Sequence, residues 1–318
     1  PVRGTFRTGD GPATASRKPT RTMKTQFMAL GLLACVAAFA PDAASAKKAP
    51  KKDIAIQLYS VRDLIGSFGQ NQHDYKKVLK DLADMGYSSV EAASYNDGKF
   101  YGQTPEQFKA DVEAVGMKVL SSHCTRNLSD EELASGDFSE SLKWWDECIA
   151  AHKAAGMKYL VTPSIPFLKS LKELQVYCDY FNEIGKRCRE NGIKYGYHNH
   201  AFEFQKIEDQ VMLEYMIRHT DPENVLFEMD VYWVVIGQNS PVDLFHKYPG
   251  RFKMLHIKDL REIGQSGMVD AIFRNADVAG VEQIVVEVEQ YSYDVEKSVR
   301  MSLDYLMEAP FVKASYSK

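Results

Sequence analysis

Short apolar runs alternate with longer amphipathic stretches from about residue 54 to residue 307 of this 318-residue chain. The runs are short and rich in aliphatic and aromatic side chains, which is typical of buried strands bounded by turns. Eight runs follow one another, at residues 54–59, 89–92, 118–123, 159–162, 194–198, 225–230, 252–257 and 283–288.

The stretches between the runs repeat apolar residues at intervals of three and four, which predicts amphipathic helices. Thr104 and Pro105 are typical of a helix cap and a first helical residue, and glycines such as Gly86 and Gly156 mark helix ends. The predicted helices cover about residues 74–85, 105–115, 139–155, 170–190, 211–219, 242–247, 269–279 and 295–307.

Eight strands that alternate with eight helices predict an α/β fold with a parallel sheet. The count of eight favours a closed (β/α)8 TIM barrel over an open, doubly wound sheet. Residues 47–318 number 272, which is a typical length for one such barrel. We therefore expect a single TIM-barrel domain over residues 53–318.

The first 46 residues are predicted to lie outside this domain. Met23 and Lys24 precede an uncharged run over 27–40, Pro41 breaks it, and 44–46 reads Ala-Ser-Ala. A basic start, a short apolar run and a small-residue end are typical of a secretory signal peptide, here over 23–46. Residues 1–22 are interpreted as a non-native or over-extended leader, and 47–52 as a solvated basic leader.

Export to the periplasm is the expected consequence of this signal. The run of 14 residues is too short for a comfortable membrane span. An alternative is a lipoprotein signal, because Leu32-Leu-Ala-Cys35 resembles a lipidation site and would leave the protein anchored through Cys35.

Charge and cysteine content narrow the function classes. Residues 1–46 hold six of the 39 basic and two of the 43 acidic side chains, so residues 47–318 have a net charge of −8. Such a chain is not expected to bind nucleic acid.

The cysteines of the domain have no CxxC spacing, which disfavours a thiolate zinc site. Buried free thiols are expected at Cys124, Cys148, Cys178 and Cys188.

Acidic or imidazole side chains lie at or just after the ends of the last four strand runs. They are Glu203, Asp230, His256 and Glu287, separated by 27, 26 and 31 residues, each close to one strand-plus-helix unit. The carboxyl ends of barrel strands converge on one face. Together these oxygen and nitrogen ligands predict a site for one divalent metal ion, either Mn, Mg, Co or Zn.

The sequence around the fifth strand run does not decide which residue is the first metal ligand. His198 and His200 lie on one side of an extended segment, so both are candidate ligands, with Glu203 then behind them. Polar and aromatic residues at other strand ends are candidate substrate contacts, with packed loop residues as the alternative. The candidate substrate-binding residues are Gln57, Tyr59, Glu91, His123, His198, His200, Trp233 and Lys258.

Five sequence stretches resemble one known family, the xylose isomerase-like TIM barrels grouped as sugar phosphate isomerases/epimerases. They are Ile56–Arg62, Tyr197–Glu203, Met229–Trp233, Leu255–Asp259 and Val286–Glu289. The resemblance extends over about residues 53–310. It implies a divalent metal held by Glu203, Asp230, His256 and Glu287. Many members place the first Glu inside strand five, where this chain has His198, so His198 or His200 is an alternative to Glu203.

The resemblance also implies chemistry. Glu287 and Glu203 are expected to be the acid/base pair of an enediolate mechanism, with Asp230 and His256 as pure ligands. His200 and Lys258 are expected to orient substrate oxygens. The leading prediction is a metal-dependent isomerase or epimerase of a non-phosphorylated keto- or aldo-sugar. The alternatives are a lyase or hydrolase of keto-sugars or keto-glycosides, and a barrel that binds sugar without turnover.

Overall fold

A closed barrel of eight parallel strands forms the centre of the molecule. The computed structural model describes residues 51–66 and 74–317. The barrel strands are β1 (Ala55–Gln57), β2 (Ser89–Ala92), β3 (Lys118–Ser122), β4 (Tyr159–Thr162), β5 (Lys194–His198), β6 (Val225–Asp230), β7 (Phe252–Ile257) and β8 (Gln283–Val286). Their order is β3-β2-β1-β8-β7-β6-β5-β4. A parallel bridge between His123 and Val161 joins β3 to β4, which confirms the TIM-barrel prediction.

Helices follow the strands on the outside of the barrel. They are α1 (Arg62–Ile65), α2 (Tyr75–Met85), α3 (Pro105–Ala114), α4 (Asp130–Ser135), α5 (Ser139–Ala154), α6 (Leu171–Glu190), α7 (Met212–His219), α8 (Val231–Ile236), α9 (Pro241–Lys247), α10 (Val269–Arg274), α11 (Ala276–Ala279) and α12 (Val295–Glu308). The Asp74, Thr104 and Ser170 side chains accept hydrogen bonds from the first turns of α2, α3 and α6. These caps explain why the predicted helix starts were accurate.

The structure differs from the predicted elements where tertiary contacts decide short segments. The predicted helix over 269–279 is two helices, α10 and α11, with Asn275 between them. The end of run one turns into a 3-10 helix, Leu58–Val61. Helices α1, α4 and α8 were not predicted, and neither were two hairpins, Tyr95–Asn96 with Lys99–Phe100 and Lys206–Ile207 with Gln210–Val211.

Alternate strand residues point into the barrel, because successive side chains of a strand face opposite ways. An apolar cluster occupies the inward positions nearer the amino ends of the strands and consists of Ala55, Leu120, Tyr159, Val161, Leu226, Met254 and Val285. Two residues further along their strands, Gln57, Glu228, His256 and Glu287 take the next inward positions. The apolar side chains therefore lie beneath these polar ones and fill the barrel interior below them.

Lys52 corrects part of the predicted solvated leader. Its side chain is buried, and its Nζ donates hydrogen bonds to the carbonyl oxygens of Leu306 and Ala309 at 2.8 and 2.6 Å. Burial lowers the pKa of the Lys52 ammonium. A cation suits this place because the last carbonyl groups of α12 have no partner within the helix. Lys52 therefore belongs to the barrel domain.

Three predictions about the rest of the chain have different outcomes. The four cysteines of the domain are free and buried, as expected. Within the described ranges, no helix is long and apolar enough to cross a membrane. The predicted signal peptide over 23–46, the leader over 1–22 and the alternative lipid anchor at Cys35 lie outside the described residues.

Candidate metal centre and active-site cavity

Four inward-facing side chains from β5 to β8 meet near the carboxyl ends of their strands. His198, Asp230, His256 and Glu287 each offer one nitrogen or oxygen atom, and these atoms all lie within 4.8 Å of one another. His198 Nε2 is 3.5 Å from Asp230 Oδ2, and His256 Nδ1 is 3.3 Å from Glu287 Oε2. All four residues are buried. We call these four residues the upper cluster.

The register of the strands explains this meeting. Asp230 on β6 pairs with His256 on β7, and Glu228 pairs with His198 on β5. Asp230 also caps α8 by accepting a hydrogen bond from Trp233 N at 3.0 Å through Oδ1. That bond fixes the carboxylate and leaves Oδ2 directed at the cluster.

Unsatisfied buried atoms in the upper cluster fit a bound cation. Among the described residues, neither ring nitrogen of His198 has a hydrogen-bond partner, and neither does Asp230 Oδ2. Such atoms are costly to bury unless something binds them. Two imidazoles and two carboxylates are a donor set for a divalent ion such as Mn, Co or Zn. The residues therefore fit the predicted metal.

Glu203 lies outside the upper cluster. It is on a 3-10 helix, Phe202–Phe204, where its carboxylate accepts hydrogen bonds from Tyr197 Oη at 2.6 Å and from His200 N at 2.9 Å. Burial raises the pKa of Glu203 to about 7. The structure thus brings together three of the four predicted ligands, and His198 occupies the place expected for Glu203.

A second group lies deeper in the barrel and shares His256 with the first. His256 Nε2 is 2.6 Å from Glu91 Oε1 and 3.3 Å from Glu228 Oε2. His123 Nε2 is 2.8 Å from Glu228 Oε2. We call Glu91, His123, Glu228 and His256 the lower cluster. Both histidines here have a carboxylate within hydrogen-bond distance, whereas neither ring nitrogen of His198 has a hydrogen-bond partner among the described residues.

Gln57 and Ser121 hold Glu91 in the lower cluster. Gln57 Nε2 donates to Glu91 Oε1 at 2.8 Å, and Ser121 Oγ donates to Glu91 Oε2 at 2.6 Å. Burial opposes the charge of Glu91, but His123 and His256 outweigh it and lower its pKa to about 2. Glu91 is therefore an ionised acceptor for the imidazole of His256.

Burial and neighbouring charges shift the pKa values of the upper cluster in different directions. Burial opposes ionisation of Glu287, but Lys258 and His256 hold its pKa well below the usual range. Burial raises the pKa of Asp230 to about 7 and lowers the pKa of His198 well below its ordinary value. A neutral His198 has a free lone pair, which is the form that binds a metal.

The ammonium group of Lys258 lies beside the carboxylates of the upper cluster. Its Nζ lies 2.7 Å from Glu289 Oε1, 3.1 Å from Glu287 Oε2 and 3.5 Å from Asp230 Oδ2. The same Nζ lies 4.8 Å from the ring centre of Trp233. Lys258 and Trp233 are therefore in contact with each other and beside the candidate metal ligands.

A cavity of about 830 Å³ opens beside the upper cluster. Of the predicted substrate contacts, Tyr59, His123, His198 and His200 line it, whereas Gln57, Glu91, Trp233 and Lys258 do not. Its lining residues are Tyr59, Ala93, Ser94, Tyr95, Asn96, His123, Cys124, Thr125, Trp144, Pro163, Ser164, His198, His200, Glu287 and Glu289.

Glu228, Ser121 and Trp144 were missed as site residues. Glu228 had a detectable signal, since it lies two positions before Asp230 on one strand and must face the same side. Ser121 had none, because a serine in a buried strand is common. Trp144 lies on α5, which the pattern placed on the outside of the barrel.

Three comparisons with known proteins place these features in context. The model of the xylose isomerase-like TIM barrel family matches residues 79–309. The inosose dehydratase of Geobacillus kaustophilus is 24% identical over 217 residues, which cover 63% of this chain and 67% of that protein. A sugar phosphate isomerase/epimerase structure from Parabacteroides distasonis is 34% identical, with a TM-score of 0.74 over 82% of this chain and 100% of that one.

A third relative carries a metal. The structure of the IOLI protein with a bound zinc atom has a TM-score of 0.64 and covers 84% of this chain and 100% of its own. At 14% identity, this likeness shows a shared fold.

Proposed function

We propose, from the premise that this chain belongs to the xylose isomerase-like TIM barrel family, that it is a metal-dependent enzyme acting on a keto-sugar. The reaction begins with removal of a proton from the carbon beside the carbonyl group. The family assignment confirms the resemblance seen in the motifs, and the relatives described above include an inosose dehydratase and a sugar phosphate isomerase/epimerase. The observation that carries the proposal is that ligand atoms of His198, Asp230, His256 and Glu287 all lie within 4.8 Å of one another.

The upper cluster holds the metal in this proposal. His198, Asp230, His256 and Glu287 are its ligands, and the zinc-bound IOLI protein supports a metal in this fold. A divalent ion bound there supplies a Lewis acid that polarises a carbonyl and stabilises the negative charge left by a departing proton.

Glu287 is the proposed base. It lines the cavity, and the Lys258 ammonium 3.1 Å away favours its ionised form. His200 lies on the cavity wall, with its ring 5.0 Å from that of His198, and is the proposed partner that returns or receives a proton. Glu203 does not line the cavity; through its bond to His200 N, we assign it a positioning role.

Two fates of the deprotonated sugar are open to this arrangement. Return of the proton to another position or face gives an isomerase or epimerase, which is the outcome expected from the sequence motifs. Loss of a neighbouring oxygen substituent gives a dehydratase or lyase. The inosose dehydratase relative supports the second fate as a candidate.

Solvent deuterium exchange tests the step that both fates share. The purified protein is treated with a chelator, reloaded with Mn²⁺, Mg²⁺, Co²⁺ or Zn²⁺, and incubated in D₂O with keto-hexoses and keto-cyclitols. Mass spectrometry is expected to show metal-dependent deuterium uptake, with mass otherwise conserved for isomerisation or one water lost for dehydration. If no loaded metal gives deuterium exchange or product, the proposal is overturned. A barrel that binds sugar without turnover then remains.

We also propose that the protein is exported, because residues 23–46 have the layout of a signal peptide. An exported enzyme meets non-phosphorylated sugars. This fits the cavity, because the described residues that line it include carboxylates but no lysine or arginine. Cell fractionation of the full chain and of a Cys35→Ser variant tests this. If both proteins stay in the cytoplasm, export is overturned. If the full chain stays with the membrane fraction and only the Cys35→Ser variant is released from it, the protein has a lipid anchor.

A further inference from the structure

We propose that the substrate has two sugar rings and that Tyr95, Asn96 and Trp144 form the subsite for the second ring. This inference rests on the proposed function, because it takes the upper cluster as the place where the keto ring reacts. It adds the substrate class: a glycoside of the keto-sugar rather than a free monosaccharide.

The size of the cavity is the first argument. At about 30 Å³ per non-hydrogen atom, the share of a water molecule in the liquid, a twelve-atom hexose takes up roughly 360 Å³. The cavity measures about 830 Å³, more than twice that allowance. One ring leaves the larger part of the cavity to solvent, whereas two linked rings fill most of it.

The position of the proposed subsite is the second argument. The upper cluster comes from β5 to β8, on one half of the barrel. Tyr95 and Asn96 lie in the hairpin after β2, and Trp144 lies on α5 after β3, on the other half. All three line the same cavity as His198 and Glu287. A ligand bound at the cluster therefore extends across the barrel mouth toward them.

The chemistry of this region suits a neutral sugar ring. Tyr95 and Trp144 have ring centres 6.0 Å apart at an interplanar angle of 81°. Aromatic rings pack against the apolar face of a sugar, and an amide such as that of Asn96 hydrogen-bonds hydroxyl groups. Of the ionisable lining residues, His198, His200, Glu287 and Glu289 lie at or just after the ends of β5 and β8, and His123 follows β3.

The aromatic wall is built in advance of binding. Tyr95 packs against Phe100 at 5.2 Å and against His152 at 4.9 Å, measured between ring centres. The hairpin turn holds Asp97 at φ 47° and Gly98 at φ 74°, the left-handed conformation that a tight two-residue hairpin turn requires. Loops at the carboxyl end of barrel strands set substrate choice in this fold.

The test compares one-ring and two-ring substrates on the metal-loaded enzyme. The probes are a hexose with a ring ketone and a disaccharide in which the same keto ring is linked to glucose. We expect the disaccharide to have the higher kcat/KM. Trp144→Ala is expected to lower kcat/KM for the disaccharide roughly three- to ten-fold, the range for one lost aromatic packing contact, and to leave the hexose almost unchanged.

The control and the contrary outcomes separate the two proposals. Tyr293→Ala removes an aromatic residue that does not line the cavity, and we expect it to leave kcat/KM unchanged for both substrates. Equal kcat/KM for both substrates, or equal losses in Trp144→Ala, overturns the subsite while the proposed function stands.

If neither keto-sugar is turned over, the proposed function falls, and calorimetry with unoxidised cellobiose and glucose decides the subsite. Tighter cellobiose binding that Trp144→Ala removes supports it, and equal binding of the two sugars overturns it.

Discussion

His256 Nε2 lies 2.6 Å from Glu91 Oε1, a contact that spans the barrel interior from β7 to β2. Glu91 is ionised, so Nε2 carries the proton and donates it. The other ring nitrogen, Nδ1, faces Glu287 in the upper cluster. A carboxylate behind a ligating histidine fixes its tautomer and raises the basicity of the ligand nitrogen. Glu91 therefore prepares His256 Nδ1 for a metal that it does not itself touch.

Removal of this carboxylate is expected to weaken metal binding without removing a ligand. For Glu91→Gln, we expect a loss of metal affinity of about 10- to 100-fold, the usual effect of replacing such a partner. Titration of the chelated protein with Zn²⁺ or Mn²⁺ measures it. Glu289→Gln is a useful comparison, since Glu289 contacts Lys258 rather than His256. Equal affinities in Glu91→Gln and the unaltered protein would disprove the positioning role.

The first metal ligand is decided by a pair of variants. His198 lies in the upper cluster, whereas Glu203 bonds to Tyr197 and His200 N instead. We expect His198→Ala to lose the metal on dialysis and Glu203→Gln to retain close to one equivalent, as measured by elemental analysis. The opposite result would restore Glu203, as the sequence motifs implied, as the ligand.

Loss of the proposed base is expected to abolish turnover. Glu287→Gln keeps the size of the side chain but removes the charge beside Lys258. We expect kcat to fall by about 10²- to 10⁴-fold, as is usual for a lost general base. Circular dichroism and the unfolding midpoint check that the barrel remains intact. Activity near that of the unaltered enzyme would exclude Glu287 from the mechanism.

Glu262 is expected to make stability depend on acid pH. Burial opposes its charge, but hydrogen bonds donated by Ser298 at 2.6 Å and Ser292 at 2.7 Å outweigh it and lower its pKa to about 2. The unfolded chain has the higher pKa, so this stabilisation is present above about pH 4.5 and is lost as the pH falls toward 2.

The Glu262→Gln variant measures this contribution. We expect it to be about 2–3 kcal/mol less stable than the unaltered protein at pH 7, with a smaller difference at pH 3. Urea unfolding at both pH values gives the free energies. The exposed Glu308→Gln serves as the control and is expected to change little at either pH. A difference for Glu262→Gln that is as large at pH 3 as at pH 7 contradicts the assignment.

Gly185 is expected to tolerate no side chain. It lies inside α6, where a Cβ atom would come 2.1 Å from the carbonyl oxygen of Asn224. Alanine favours helices over glycine by about 1 kcal/mol, but the overlap with backbone is expected to cost more. We expect Gly185→Ala to be destabilised by about 1–3 kcal/mol, a typical cost of overpacking, in urea unfolding. A more stable variant would show that α6 shifts easily.

Local sequence was sufficient for most of the architecture. The predicted bounds of β2, β4, β5, β6 and β7 coincide with the strands in the structure. Buried strands and capped helices have strong local signals, since their period and their end residues are written in the chain. Helix α8 was missed because Val231–Ile236 is apolar throughout and lacks a helical period.

The sequence by itself determined the eightfold alternation of strands and helices, the family, and three residues of the upper cluster: Asp230, His256 and Glu287. Only the tertiary structure decided that His198 completes this cluster, that Glu203 turns away toward Tyr197, and that Glu91 supports His256 from the opposite strand. Periodicity records which side of a strand a residue faces. Barrel closure and loop conformation set the distance between side chains that lie far apart in the chain, and no local pattern contains that information.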